Sequence, residues 1–475
     1  MLKTKIVCTL GPATDSEEMI SEMIRAGMNV ARLNFSHGTH EEHKKKIDAV
    51  KAARDKLGVP VAIMLDTKGP EIRLGAFEGG SAVLETGAEF TLTTETVEGN
   101  GDRATVSYAG LPGQVTEGTR ILLDDGNIDL CVEKSADKEI VCRVTAGGVI
   151  KSGKGVNVPN VTLDMPHLSD RDRDDLLFGI ENDVDFVSAS FIRSAEDVVN
   201  MRKFLDYNGG HAIRIISKIE NTDGVRNFSE ILSKSDGIMV ARGDMGVEIP
   251  FERLPGLQKR FIKECYRSGK MVITATQMLE SMISHPTPTR AEITDVANAV
   301  FDGTSAVMLS GETAVGKYPL RAIEVMAKVA EQAERDVFSM KGLSGNYVMD
   351  SEDITNAVCD AACTTARDLK ADAIVALTMT GRSARRMSKF RPTTPIVAAT
   401  PSVKTFHQLA LSWGVYPVLA RNQDDFDSLF RHAIDCAKQI DLVTDGDRVV
   451  IVGGVPLDTP GNTNIIKVET VKDEY

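Results

Sequence analysis

Short apolar runs recur along the chain, and most of them end in charged or hydroxyl-bearing residues. TKIVCTL at 4–10 is the first, closed by Gly11 and Pro12. Its β-branched content suits a strand, and the Gly-Pro pair a turn. An apolar periodicity over 16–26 predicts a helix capped by Asp15 or Ser16 and stopped at Gly27. NVARLNFSH at 29–37 reads as a second strand, whose Arg32, Asn34 and Ser36 alternate and share one side. A charged helix over about 41–56 and a third strand, VAIMLDT at 61–67, follow. Strand alternating with helix predicts parallel pairing.

Between about 70 and 166 the helical period disappears. Alternating runs such as EFTLT at 89–93 and ILLD at 121–124 are separated by turns such as DDGN at 124–127. This stretch reads as an inserted all-β domain, bounded by Gly69-Pro70 and Pro166. Beyond it the alternation resumes, with strands expected at 185–191, 213–221, 238–241, 271–277 and 306–312. With the first three these make eight, the number of a closed (β/α)8 TIM barrel. From about 340 an open α/β pattern takes over. Strands are expected at 373–377, 396–399, 415–418 and 448–452, helices at 353–369, 383–390 and 403–412, and a linker at 342–346. The division expected is a barrel of 1–69 and 167–340, a β domain of 70–166 and a C-terminal α/β domain of 341–475.

In a barrel the C-terminal strand ends meet at one mouth. Arg32, Asn34, Asp66, Lys218, Glu220, Asp244 and Thr276 would converge there. Lys218 and Glu220, two residues apart in IRIISKIEN at 213–221, share one side of the pleat. An exposed pair of that kind would be worth little; a convergent cluster is a site. Glu220 and Asp244 can hold a hard divalent cation such as Mg2+. Asn34, Ser36, Asp66 and the Thr67 carbonyl offer oxygens to a second, less demanding cation. Lys218 and Arg73 bring positive charge for a phosphate in motion. Gly243 permits close backbone approach, and a helical turn starting there could bind a carboxylate. From spacing alone this is a metal-dependent barrel enzyme acting on an anionic substrate. Metal, Lys and Arg together suit phosphoryl transfer.

Charge narrows the partners. The 475 residues carry a net charge of −13, which argues against a broad basic footprint for nucleic acid or anionic membrane. No apolar run is long enough to span a bilayer and no signal-like start is present, so a cytoplasmic protein is expected. The seven cysteines are odd in number and scattered, which favours reduced core thiols. Cys359 and Cys363 have helical spacing but no neighbouring ligand pair for zinc. TMTGRS at 378–383, between a strand and a helix, combines hydroxyls, a glycine and a helix start, the makings of an anion nest.

Five runs resemble pyruvate kinases in content and order: NVARLNFSHG at 29–38, LDTKGPEIR at 65–73, SKIEN at 217–221, VARGDMGVE at 240–248 and TATQMLESM at 274–282. The resemblance covers essentially the whole chain and ends with the third domain, without the extra C-terminal module of some bacterial relatives. It implies transfer of the phosphoryl group of phosphoenolpyruvate to ADP. It implies Mg2+ (or Mn2+) on Glu220 and Asp244, and K+ on Asn34, Ser36, Asp66 and Thr67. Lys218 would neutralise the moving phosphoryl group and the enolate, and Arg73 would hold the phosphate. The Gly243 and Asp244 amides with the Thr276 hydroxyl would hold the substrate carboxylate. Thr276 also lies near where the enolate gains its proton. Arg32, Asn34, His37 and Lys154 match positions near the nucleotide phosphates, and Arg32 counts among the catalytic set. Family members that dispense with K+ carry Lys at the position of Glu71, so K+ dependence is expected. The inserted domain would be a closing lid.

The same resemblance makes Thr378, Met379, Thr380, Gly381, Arg382 and Ser383 a sugar-phosphate effector site, flanked by a loop at 453–464. Met379 replaces a frequent Lys, so the effector's identity stays open. Arg290 would sit at a subunit interface of a homotetramer. Two other readings stand beside these: an aldolase using Lys218 as a Schiff-base nucleophile, and a non-catalytic metabolite sensor using the C-terminal nest.

Overall fold

In the computed structural model, which describes residues 1–339, 353–423, 425–456 and 462–472, eight parallel strands close into a barrel. They are β1 (Lys5–Thr9), β2 (Val30–Asn34), β3 (Ala62–Asp66), β4 (Phe186–Ala189), β5 (Arg214–Ile219), β6 (Gly237–Ala241), β7 (Met271–Ala275) and β8 (Ala306–Leu309). Each pairs with its sequence neighbour, and β1 pairs with β8 to close the ring. Alternate residues face opposite ways. Val7, Val30, Met64, Phe186, Ile216, Met239 and Ile273 fill the interior. Ile6, Ala31, Ile63, Val187, Ile215, Ile238 and Val272 pack outward against the helices. Capping is local and strong. Glu17–Ala26 starts on Ser16 and stops at Gly27, and His40–Leu57 carries a reciprocal Thr39–Glu42 box.

The strands stop earlier than the sequence pattern suggests. The run expected to 191 leaves β4 at Ala189, and Phe191 takes φ +53°. The run expected to 277 ends at Ala275, with Thr276 and Gln277 at φ +67° and +55°. The run expected to 312 ends at Leu309 and becomes a helical turn, Gly311–Ala314. Apolar content cannot register these turns, because hydrogen bonds from other elements impose them.

Between β3 and β4 lies a seven-stranded sheet running from Ile72–Arg73 to Gly155–Asn157, with Arg103–Thr105 at its far edge. A separate two-stranded pair, Ser81–Leu84 with Gly148–Lys151, flanks it. Phe90, Leu92, Leu130 and Val144 belong to its own core. It leaves the barrel at the mouth. Gly69 there has φ +73°, and a Cβ would lie 2.9 Å from Ser190 Cβ and Phe191 Cδ2.

The C-terminal sheet comprises β9 (Ala373–Leu377), β10 (Ile396–Thr400), β11 (Val415–Leu419), β12 (Arg448–Gly453) and β13 (Ile465–Thr470). Its order is β11-β10-β9-β12-β13, with only β13 antiparallel. The helix expected over 403–412 breaks after Gln408 into a 3-10 turn, Leu409–Leu411. Ala410 and Leu411 join the barrel's interior cluster and close its floor, opposite the mouth. The expected linker at 342–346 lies outside the described residues.

Candidate active site

The interior rows of the barrel continue upward into polar residues. Val7 leads to Thr9, Val30 to Arg32, Met64 to Asp66, Phe186 to Ser188 and Ser190, and Ile216 to Lys218 and Glu220. Period-two alternation therefore delivers these side chains to one place, and Asp66, Lys218, Glu220 and Ser190 are all buried.

The Lys218 ammonium has three hydrogens and three acceptors. It donates to Ser190 Oγ at 2.7 Å and to Asp66 Oδ1 at 3.1 Å, and lies 3.0 Å from Glu220 Oε1. Asp66 Oδ2 accepts from Arg32 Nε at 2.6 Å, and Arg32 Nη1 donates to Thr9 Oγ1 at 2.8 Å. Glu220 Oε2 accepts from the Phe191 amide at 2.6 Å. Burial alone would lower the Lys218 pKa, but the Asp66 and Glu220 carboxylates outweigh it and hold the ammonium above its usual value. Burial raises Glu220 to about 7; Lys218 opposes that and the Asp244 charge adds to it. Burial would also raise Asp66, yet Arg32 and Lys218 together bring it below the usual carboxylate value.

The opposite wall is backbone held by Arg242. Its guanidinium donates to the carbonyls of Ala275 (3.2 Å) and Thr276 (2.6 Å) and pairs with Asp295 at 2.7 Å. That fixes the left-handed Thr276-Gln277 turn. Thr276 Oγ1 then accepts from the Gly243 amide at 2.8 Å and donates to Ala275 O at 2.6 Å. A helical turn, Arg242–Glu248, begins there without a side-chain cap, with Asp244 in its first turn.

Two carboxylates whose charges reach each other, Glu220 buried and Asp244 half-buried, suit a hard divalent ion. Among the described residues no cluster of three or more acidic, His or Cys groups forms, so such an ion would complete its shell with water and substrate oxygens. Asn34 and Asp66 are register partners, and the Thr67 carbonyl lies beside them; these are hard oxygens suited to a monovalent ion. Here Ser190 Oγ donates to Thr67 O at 2.6 Å, and Asn34 Oδ1 accepts from the Ser36 amide at 3.1 Å.

Not every expected residue joins the cluster. Arg73 makes a bidentate pair with Glu71 (2.8 and 2.7 Å) and donates to Gly153 O at 2.7 Å. Lys154 pairs with Asp124 at 2.6 Å. Arg73 ends the strand Ile72–Arg73 and Lys154 immediately precedes its neighbour, Gly155–Asn157, at the base of the inserted sheet; Glu71 and Asn157 there line a cleft with Phe191 and Asp244. Asn34 and His37 open instead onto a pocket with Thr9, Gly11 and Lys46. Ser190, Phe191, Arg242 and Asp295 were not singled out by their sequence. The period-two row from Phe186 points to Ser190; for Arg242 only tertiary contact reveals the role.

In the C-terminal sheet the 378–383 loop follows β9. Gly381 has φ +75°, and its amide donates to Thr378 Oγ1 at 3.0 Å. The loop lines a pocket with Arg421, His432 and Gly454. Arg382 is paired with Asp353 at 3.2 Å. The Thr380 carbonyl accepts from Arg385 at 2.7 Å and from Arg214, at the start of β5, at 3.3 Å. Of the expected flanking loop, 457–461 lies outside the described residues.

The family model described as pyruvate kinase, barrel domain, matches residues 1–323, and that of the pyruvate kinase alpha/beta domain matches 356–469. A pyruvate kinase of Clostridium acetobutylicum is 48% identical over 473 residues, covering 99% of this chain and 100% of the relative. One of Staphylococcus haemolyticus is 48% identical over 477 residues, covering 100% of this chain and 81% of the relative. One of Staphylococcus saprophyticus is 49% identical with the same coverage.

Proposed function

The chain belongs to the pyruvate kinase family, and from that premise we propose how its own residues carry the reaction. The enzyme transfers the phosphoryl group of phosphoenolpyruvate to ADP, giving pyruvate and ATP in glycolysis. The observation that carries the assignment of roles is the Lys218 ammonium, fixed by three acceptors inside a buried, carboxylate-lined mouth.

Lys218 places a permanent positive charge where the phosphoryl group leaves and the enolate forms, in a site that needs no reorganisation at the moment of transfer. Arg32, tied to Asp66, extends that positive charge toward the nucleotide phosphates, with Asn34, His37 and Lys154. The Gly243 and Asp244 amides with the Thr276 hydroxyl would hold the substrate carboxylate, Gly243 and Thr276 exchanging for it the bonds they now make to Thr276 and to Ala275 O. The Thr276 hydroxyl is a poor acid by itself, so it relays the proton rather than acting as sole donor. Members of this family are generally Mg2+- and K+-dependent. In this chain Glu220 and Asp244 would hold Mg2+ or Mn2+, and Asn34, Ser36, Asp66 and Thr67 would hold K+. These ions supply charge neutralisation of the transferring group. Arg73 reaches the phosphate if its guanidinium exchanges the Glu71 carboxylate and Gly153 carbonyl that it now holds. We assign the sheet, residues 70–166, as a lid on the barrel of 1–69 and 167–340.

We also propose that the 341–475 domain is regulatory, that Thr378, Met379, Thr380, Gly381, Arg382 and Ser383 bind a phosphorylated sugar, and that the enzyme works as a cytoplasmic homotetramer with Arg290 at an interface. Among the described residues no helix is long and apolar enough to cross a membrane.

A coupled assay for pyruvate, with phosphoenolpyruvate, ADP, Mg2+ and K+, tests the central reading. Exchanging K+ for a bulky organic cation at constant ionic strength should abolish most of the activity; full activity would remove the K+ assignment. Borohydride trapping with a carbonyl substrate distinguishes a Schiff-base aldolase.

A further inference from the structure

Immediately after β4 the chain makes a two-residue turn, Ser190-Phe191, that touches both charged partners of the site. Ser190 is 1% exposed. A hydroxyl has one hydrogen, and that of Ser190 is directed at Thr67 O, 2.6 Å away, leaving its lone pairs for the Lys218 ammonium at 2.7 Å. Phe191 sits at φ +53°, an unusual conformation for an aromatic residue, and its amide meets Glu220 Oε2 at 2.6 Å. The turn is packed so tightly that Gly69 opposite it has no room for a side chain.

We propose that Ser190 and Phe191 form a positioning device for phosphoryl transfer. The Ser190 hydroxyl aims the Lys218 ammonium, and the left-handed Phe191 amide aims the Glu220 carboxylate. One turn thus holds both the neutralising cation and the metal-binding carboxylate, which the strand places two residues apart. The proposal rests on the role given above to Lys218. Two of the ammonium's three acceptors, Asp66 and Glu220, are charged and have other partners; Ser190 is the neutral one. It orients the ammonium without competing for its charge. A lost hydrogen bond to a charged group corresponds to on the order of 10-fold or more in the rate constant it supports.

The test uses the full-length enzyme. Ser190→Ala and Ser190→Cys should each lower kcat on the order of 10-fold with KM for phosphoenolpyruvate changed less than about 2-fold, while Ser190→Thr, which keeps the hydroxyl, should recover most of the loss. In a Lys218→Met background, Ser190→Ala should cause no further loss, because the two act as a unit. For Glu220 the readout is Mn2+ binding to the substrate-free protein. Phe191→Val, disfavoured at positive φ, should weaken it several-fold, and Phe191→Gly should not. Wild-type kcat in both Ser190→Ala and Ser190→Cys, or additive losses with Lys218→Met, overturns the Ser190 role. Wild-type Mn2+ affinity in Phe191→Val overturns the Phe191 role. Wild-type turnover in Lys218→Met alone would instead remove the reading beneath both.

Discussion

At the barrel mouth Lys218 is 9% exposed, and every hydrogen of its ammonium has an acceptor; in the C-terminal loop Met379 is 45% exposed, and the turn is closed by Gly381 donating to Thr378 and held at its carbonyls by Arg385, Arg214 and Thr405. Both regions are proposed to take phosphate, and they are made differently. The mouth is assembled from five separate strands, so its charges are fixed by the whole barrel and by one another. Removing one leaves the others buried with fewer partners than their charge needs. The loop is one contiguous segment at a helix start, whose backbone does the work and whose Arg382 is engaged by Asp353. A site of the first kind suits chemistry, which needs preorganised charge. A site of the second kind suits reversible binding.

The largest effect should come from removing the cation at the centre of the mouth. Lys218→Met should reduce kcat by on the order of 10² to 10³ with a small change in KM, measured by steady-state pyruvate formation. Near wild-type turnover would put the two regions on the same footing.

A smaller loss is expected at the wall. Arg242→Ala removes the donors that hold the Ala275 and Thr276 carbonyls and leaves Asp295 without its guanidinium. The turn then relaxes and the Thr276 hydroxyl drifts from Gly243. A fall in kcat/KM on the order of 10-fold is expected, and Arg242→Lys should not restore it, because one ammonium cannot replace the planar fork. An unchanged kcat/KM would show that the turn holds itself.

At the loop the expected change is in response rather than rate. Thr380→Glu puts a negative charge into the nest. It should leave turnover at saturating substrate intact while removing activation by a sugar phosphate, an effect of roughly 5- to 150-fold in substrate affinity. Titrating fructose 1,6-bisphosphate, ribose 5-phosphate, glucose 6-phosphate and AMP on both proteins checks this. A variant that responds like wild type would leave the effector site elsewhere.

How far the sequence carries differs between the regions in the same way. All eight barrel strands can be read from it, because a strand buried on both faces must be apolar along its length. Arg32, Asp66, Lys218 and Glu220 can be read too, since charge at the end of such a strand is conspicuous. Ser190 carries no charge and passes for an ordinary core hydroxyl. Thr276 looks like strand until Arg242, from the neighbouring strand end, pulls its carbonyl round. The bond from Arg73 to the Gly153 carbonyl also needs the folded sheet, because it depends on how Gly155 pairs with Arg73. Local pattern records what each segment prefers, and the functional turns are set by what other segments impose.

The smallest effect concerns the seam between the barrel and the C-terminal domain that carry these two regions. His407 lies at the barrel floor beside Gln408, which donates to the carbonyls of Asp185 and Ala212. Burial pushes its imidazole down to about 3, helped by Arg54, Lys404 and Lys51 and opposed by Asp183. Burial likewise pushes His43 down to about 4, against its bond to the His37 carbonyl. In the unfolded chain each titrates near the ordinary value of about 6.5. Between that value and the folded one, the unfolded chain binds more protons than the native one, so stability falls as pH falls. The cost is at most about 1.4 kcal/mol per pH unit for each histidine. His407→Gln removes the seam's share and leaves that of His43. The single tryptophan, Trp413, is buried where Arg391 stacks on it 4.5 Å from the ring centroid, and its fluorescence reports on this seam. Glu220, raised to about 7, works in the opposite direction in this range, so the readout is the difference: on going from pH 7 to 5.5 the urea midpoint followed by Trp413 should fall further, or rise less, in wild type than in His407→Gln. Equal changes in the two proteins would mean that His407 accepts a proton without disturbing the docking of the C-terminal domain on the barrel floor.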